Sequence, residues 1–227
     1  MNKIILIDKP AGWTSFDVVA KIRGAARVVT GNKKIKVGHA GTLDPFATGL
    51  LIVLIGNETK NQDNYMKQDK EYLASLRLGA TSTTGDPEGV IEELSISNLQ
   101  FPNKEQITKV LETFVGEISQ IPPIYSAIKV DGKRAYKLAR AGETPEMKPR
   151  LIRILELRIT NYEYPELKII VKCSSGTYIR TLAEDIGKAL GTGAYLTSLR
   201  RTKIGDFDVQ DAQTVDEALK TITESLS

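Results

Sequence analysis

Apolar residues recur along this chain at two spacings. Residues 4–7 form a short apolar run closed by Asp8, Lys9, Pro10 and Gly12, and residues 50–55 form a fully apolar run between Gly49 and Gly56. Runs this short, bounded by turn formers, predict buried strands rather than helices. Tyr72, Ala74, Leu76 and Leu78 alternate with Leu73, Ser75 and Arg77, which predicts a strand ending at Gly79. Residues 151–159 and 167–173 are β-rich, with the turn formers Asn161 and Pro165 between them, and 196–204 predicts a further strand. Helical spacing appears at Phe16, Val19, Ile22 and Ala26 behind Thr14 or Ser15, either of which can cap a helix. It recurs at Ile107, Val110, Leu111 and Phe114, over 181–190 before Gly191, and over 214–222. Strands outnumber helices, and several are spaced as hairpins. The expected class is therefore α/β in the broad sense, an α+β fold: a mixed, mainly antiparallel central sheet flanked by helices.

Composition narrows the chemistry. The chain has 227 residues, enough for one large domain to bury about 70–75% of its unfolded surface without covalent staples. One cysteine, Cys173, and one histidine, His39, leave no disulfide framework, thiolate cluster or His-rich metal centre to build. The run at 50–55 is far short of the roughly 18 residues a membrane helix needs, and residues 1–8 carry no secretory pattern. A reduced, cytoplasmic protein is expected, whose reactive groups are carboxylate, Tyr, Arg, Lys or Ser. The net charge of +3 conceals strong segregation. Residues 1–60 carry +5, 61–126 carry −5, 127–203 carry +8 and 204–227 carry −5. The two basic blocks could share one face for a polyanion, or could be ordinary solvated helix faces.

Within the first basic block, residues 33–49 read KKIKVGHAGTLDPFATG. Gly38 and Gly41 allow close approach or unusual backbone angles, and Pro45 holds Asp44 in an extended conformation. A carboxylate in a rigid turn among lysines suits catalysis; it equally suits a plain Asx turn or helix cap.

Residues 38–49 resemble the Gly-His-x-Gly-Thr-Leu-Asp-Pro-x-Ala-Thr-Gly signature of the TruB-type pseudouridine synthases. Further similar blocks follow the family order: Asp8-Lys9-Pro10-x-Gly12-x-Thr14-Ser15, Lys70-Glu71-Tyr72, Ile121-Pro122-Pro123-x-Tyr125-Ser126-Ala127, Cys173-Ser174-x-Gly176-Thr177-Tyr178-Ile179-Arg180 and Leu199-Arg200-Arg201. The resemblance implies the pseudouridine synthase fold and an isomerase, an intramolecular transferase acting on the T-loop uridine of tRNA conventionally numbered 55. It implies no metal and no organic cofactor, since the reaction is neither redox nor hydrolytic. It implies that Asp44 is the catalytic carboxylate, whether it attacks C1′, attacks C6 or promotes a glycal intermediate. Arg180 is then the arginine that pairs with this aspartate and keeps it ionised and aimed. Tyr72 is the tyrosine that stacks on the base and accepts the C5 proton, a task for which an ordinary phenol near pKa 10 needs electrostatic help. By the same resemblance His39 takes the space vacated by a flipped base, with a general-acid role as the weaker alternative. Tyr178 and Leu199 line the base pocket, and Lys9 lies near it. Lys129, Lys133, Arg134, Lys137 and Arg140, interleaved with Tyr136 and hinged at Gly132, match the insertion that closes over the tRNA T-arm, bounded here at 122–149.

Family members usually continue past the Leu-Arg-Arg block into a C-terminal PUA domain that grips the acceptor end. Here 26 residues follow Arg201, so one catalytic domain is expected over 1–227, closed by an acidic tail or helix at 206–227. No obligate protein partner is implied, and a monomer is the default. The alternatives are a tRNA-binding folding chaperone with secondary catalysis, or a pseudouridine synthase for another RNA. Recognition centred on the T-stem-loop predicts that an isolated T-arm hairpin is turned over within a few-fold of full tRNA. A large preference for full tRNA, lost when only the acceptor end is trimmed, would sink that expectation.

Overall fold

The computed structural model describes residues 1–94, 101–126, 128–130 and 132–224. Ala127 of the Ile-Pro-Pro block, Asp131 of the basic insertion and the last three residues of the terminal segment lie outside the described residues. The strands are β1 (Lys3–Lys9), β2 (Val37–His39), β3 (Thr48–Ile55), β4 (Lys70–Leu78), β5 (Ala80–Ser82), β6 (Ile91–Glu93) and β7 (Gly116–Gln120). They continue with β8 (Lys129–Val130), β9 (Lys133–Arg134), β10 (Arg150–Glu163), β11 (Glu166–Cys173), β12 (Ala194–Ile204) and β13 (Phe207–Asp208). The helices are α1 (Ser15–Thr30), α2 (Gln62–Met66), α3 (Lys104–Glu112), α4 (Ala135–Arg140), α5 (Ile179–Ala189) and α6 (Val215–Glu224). None of the described helices is long and apolar enough to cross a membrane. The chain divides into two compact units, one of residues 1–73 with 199–227 and the other of residues 74–198.

In the first unit β3 is the centre. It is flanked by β1, antiparallel over Lys3↔Ile55 to Lys9↔Gly49, and by β2, antiparallel over Val37↔Ile55 to His39↔Val53. Where β2 ends, β12 joins β3 in parallel at Arg200↔Thr48 and Arg201↔Gly49. Its side chains alternate between two apolar layers, which is why the run is apolar without a break. Leu51, Val53 and Ile55 pack with Ile22 and Ala26 of α1 and with Val215, Ala218 and Ile222 of α6. Leu50, Ile52 and Leu54 pack with Ala40 and Ile204 on the other side. In the acidic terminal segment, α6 keeps its carboxylates outward and buries an apolar stripe on the core.

In the second unit β4, β11, β10 and β7 are neighbours in that order, with β10 antiparallel to both β11 and β7. The predicted strand at 151–159 is longer than expected. Asn161 belongs to β10, and the chain turns at Tyr164 and Pro165. Leu151 and Leu155 alternate with the buried Ile152 and Ile154 and are exposed, and a register shift between Ile154 and Glu156 then brings Leu157 to the buried face. The expected class, a mixed sheet with mainly antiparallel pairs and flanking helices, describes the observed elements. Replacing Ile222 by Ala should lower stability by about 2–4 kcal/mol, read from urea unfolding at unchanged m. A loss below about 0.5 kcal/mol would mean that α6 is only a solvated appendage.

Candidate active site

Thr14 and Ser15 divide two tasks between adjacent hydroxyls. Thr14 caps α1: its Oγ1 accepts from the Asp17 amide at 3.1 Å, while the Asp17 carboxylate accepts from the Thr14 amide at 2.8 Å. The Ser15 hydroxyl is left to hold a distant loop. It accepts from the Leu43 amide at 2.8 Å and donates to the Leu43 carbonyl at 3.0 Å.

That loop joins β2 to β3 and carries Asp44. On one flank lies Lys9, the last residue of β1, which is 0% exposed. Its Nζ donates to the carbonyls of Pro10 at 2.8 Å, Trp13 at 2.7 Å and Pro45 at 3.3 Å. The Gly12 amide also reaches the Pro45 carbonyl, at 2.8 Å. On the other flank lies Arg201 of β12, 1% exposed. Its Nε donates to Leu50 O at 2.8 Å, Nη1 to Thr42 O at 3.3 Å and Nη2 to Gly41 O at 3.0 Å. The close approach of β12 requires Gly49: at φ 103°, a Cβ there would sit 2.3 Å from the Arg201 carbonyl oxygen. The neighbouring Arg200 grips Asp8 through both guanidinium nitrogens, at 3.0 and 2.7 Å. Asp44 itself is half-buried and opens a turn closed by the Ala47 amide on its carbonyl at 3.1 Å. Its backbone is fixed from both sides. Lys9, expected near the base pocket, is buried, with its ammonium held by the carbonyls on this flank of the loop.

His39 ends β2, half-buried, with Nδ1 buried and unpartnered. Burial first, and the Arg201 charge second, hold its pKa below 6.5. The ring is therefore neutral at pH 7, which suits stacking better than proton donation. Tyr72 on β4 is buried at 8% exposure, and Leu199 on β12 at 7%. Two residues before Tyr72, the buried Lys70 repeats the device of Lys9 by donating its ammonium to the Met66 and Gln68 carbonyls.

The second unit holds Tyr178 and Arg180 at the start of α5. Arg180 is buried. Its guanidinium donates to Thr84 O at 3.1 Å and Tyr125 O at 2.9 Å, and lies 3.4 Å from the buried Asp86 carboxylate. Asp86 is itself held by the Thr84 hydroxyl at 2.5 Å and the Glu88 amide at 3.0 Å. Buried Gln120 brackets the backbone of Tyr178, accepting from its amide at 2.8 Å and donating to its carbonyl at 3.1 Å. Sequence reasoning passed over Asp86 and Gln120. The signal for Asp86 was a second Asp-Pro step, Asp86-Pro87 behind Gly85, built like Asp44-Pro45. Gln120 gave no signal in the chain. The basic insertion is a short hairpin, Lys129↔Arg134 and Val130↔Lys133, followed by the six-residue α4. Lys129, Lys133, Arg134, Lys137 and Arg140 are all exposed, while Ala135 and Leu138 are buried beneath them. Among the described residues, no group of three or more His, Cys, Asp or Glu side chains is gathered so as to hold a metal ion.

Comparison with known proteins bears on this arrangement. The model of the TruB family pseudouridylate synthase N-terminal domain matches residues 27–179, and that of the tRNA pseudouridylate synthase B C-terminal domain matches residues 180–225. The chain is 49% identical over 216 residues to tRNA pseudouridine synthase B of Parabacteroides distasonis, covering 95% of this chain and 91% of the relative. It is 43% identical over 224 residues to tRNA pseudouridine synthase B of Chlorobaculum tepidum, covering 98% and 92%. Among solved structures it resembles a chain of a Cbf5–Nop10–Gar1 complex, with TM-score 0.72 and 29% identity, covering 96% of this chain and 53% of that one. A chain of an H/ACA RNP bound to a substrate RNA containing 2′-deoxyuridine gives TM-score 0.68 at 27% identity, covering 96% and 52%. The chain thus spans about half the length of these structural relatives.

Because His39 is the only histidine, its ring protons give one unambiguous NMR titration, with an expected midpoint below 6.5. The sign follows from linkage. Above 6.5 the ring is neutral folded or unfolded, whereas below it the unfolded chain binds the proton first, so stability from this group declines until the lowered midpoint is passed. A midpoint above 6.5 would overturn the neutral-ring reading.

Proposed function

Because this chain belongs to the TruB family of pseudouridylate synthases, we propose that it is a cytoplasmic tRNA pseudouridine synthase acting on the T-loop uridine. One observation supports this reading above the others. Asp44 sits on a backbone pinned by Lys9, Ser15 and Arg201, so its carboxylate is presented from a loop that need not be ordered when substrate arrives.

The chemistry asks little else of the protein. The C1′–N1 bond breaks, the uracil turns, and a C1′–C5 bond forms. C5 gives up its proton and N1 regains one, so atoms and electrons balance without oxidant, reductant or water. Asp44 stabilises or captures the sugar carbon as the base departs. Arg180 keeps that carboxylate ionised. Tyr72 stacks on the base and receives the C5 proton. His39, neutral, fills the space left by the flipped nucleotide. Tyr178 and Leu199 wall the pocket so that the detached base is retained. The five exposed cations at 129–140 hold the T-arm backbone.

Asp44→Asn keeps the shape of the side chain and removes its charge. The expected outcome is T-arm binding within about threefold of wild type and pseudouridine formation lowered at least about a thousandfold. Product formed at the wild-type rate would end the proposed role. Wild-type protein that binds tRNA but forms no pseudouridine in it would favour the folding-chaperone reading.

A further inference from the structure

From Val18 to Leu43 the chain carries six Lys and Arg and no Asp or Glu. The fold gathers three of these cations in one place. Arg23 and Arg27 stand one turn apart on α1, and with Lys36, Val37, Gly38, Thr59 and Gln62 they line a groove of about 410 Å³. No carboxylate lines it. Among the described residues, none of the three cations has an Asp or Glu within 4.0 Å. The Arg23 guanidinium lies 5.3 Å over the Phe16 ring, while Arg27 and Lys36 are exposed. Converging like charges work against the compact state unless something neutralises them. Favourable placement in the last turn of α1 accounts for Arg27 alone. It does not account for Lys36 facing it from the strand side.

Gly38 supplies a second, independent observation. Its φ lies outside the left-handed region, and a Cβ there would meet nothing within 4 Å. Neither backbone strain nor internal packing therefore requires glycine at this position. Gly38 lines the groove, and without a side chain its backbone there is open to close approach by a ligand. Gln62, which also lines the groove, donates one amide hydrogen to Met66 Sδ at 3.3 Å and keeps a second that can reach a phosphate or ribose oxygen. The groove also has a direction. Lys36 lies three residues, about 10 Å of extended chain, before His39, and the strand then runs into the Asp44 loop.

We propose that this groove is a track for the phosphodiester backbone of the substrate RNA, holding the nucleotides that flank the flipped uridine. It is built from residues other than those of the basic hairpin and helix at 129–140. The proposal rests on the reading of the chain as a tRNA-modifying enzyme and assigns Arg23, Arg27 and Lys36 as its phosphate contacts on the Asp44 side.

The test is the double variant Arg27→Gln/Lys36→Gln, which removes two exposed charges and leaves Arg23 on Phe16. Binding of a T-arm hairpin RNA is measured across a KCl series, beside single-turnover pseudouridine formation and thermal unfolding. Two lost contacts should reduce the slope of log K against log salt by about 1.4–1.8 and weaken binding about tenfold or more at low salt. The deficit should lie in the half-saturating protein concentration rather than the saturated single-turnover rate, with an unchanged unfolding midpoint. An unchanged slope overturns the track, as does a lowered saturated rate at unchanged affinity. The functional reading fails separately: wild type that forms no pseudouridine, while the variant still shows the reduced slope, leaves the track standing and removes the enzyme.

Discussion

Two buried cations set the terms for the loop that carries Asp44. Taking an ammonium or guanidinium out of water is costly unless its donors are met, and in the first unit Lys9 and Arg201 both spend donors on main-chain carbonyls of, or beside, the segment around Asp44. Carbonyls fix the backbone. The consequence is a loop whose conformation is determined by the solvation needs of its neighbours, and the cations hold their places because β1 and β12 both pair with β3.

β3 connects this local arrangement to the core. Its two faces feed separate apolar layers, and β2 and β12 share one edge, so the chain must leave the sheet between them. That departure is the Asp44 loop. At Leu50, where neither strand supplies a ladder partner, the Arg201 side chain donates to the carbonyl instead. Core packing, sheet register and site geometry in this unit are therefore satisfied by one set of residues. A substitution at Gly49 or Arg201 would disturb all of them together. The second unit repeats the logic on a smaller scale: Asp86 and Gln120, both buried, set the guanidinium of Arg180 and the backbone of Tyr178.

Much of this was legible along the chain. The unbroken apolar run at 50–55 announced a strand buried on both faces, the alternation after Tyr72 marked β4, and the capping pattern at Thr14 placed the start of α1. The Gly-His-x-Gly-Thr-Leu-Asp-Pro stretch, rich in turn formers, marked a loop between two strands. What escaped was everything that depends on register and on distant partners. The β-rich composition of 151–159 marked a strand, but not the register shift after Ile154 that brings Leu157 to the inward face. The setting of Lys9 was hidden as well, because nothing in a linear sequence shows that three carbonyls will enclose its ammonium. Gln120 could not be found at all, since its meaning lies in the amide and carbonyl of a residue 58 positions away.

The paired hydroxyls of Thr14 and Ser15 carry one more implication, for motion. The first turn of α1 is closed through Thr14, and the next residue locks both polar groups of the Leu43 backbone. Fraying of that turn would pull Ser15 away from the loop, and displacement of the loop would strip Ser15 of its partners. The helix end and the segment before Asp44 are thereby joined as one cooperative opening unit, in the sense that hydrogen exchange resolves such units. Helix ends and surface loops ordinarily belong to the softest parts of a protein; here each borrows the other's stability, so the carboxylate is carried on a segment that opens only with the helix.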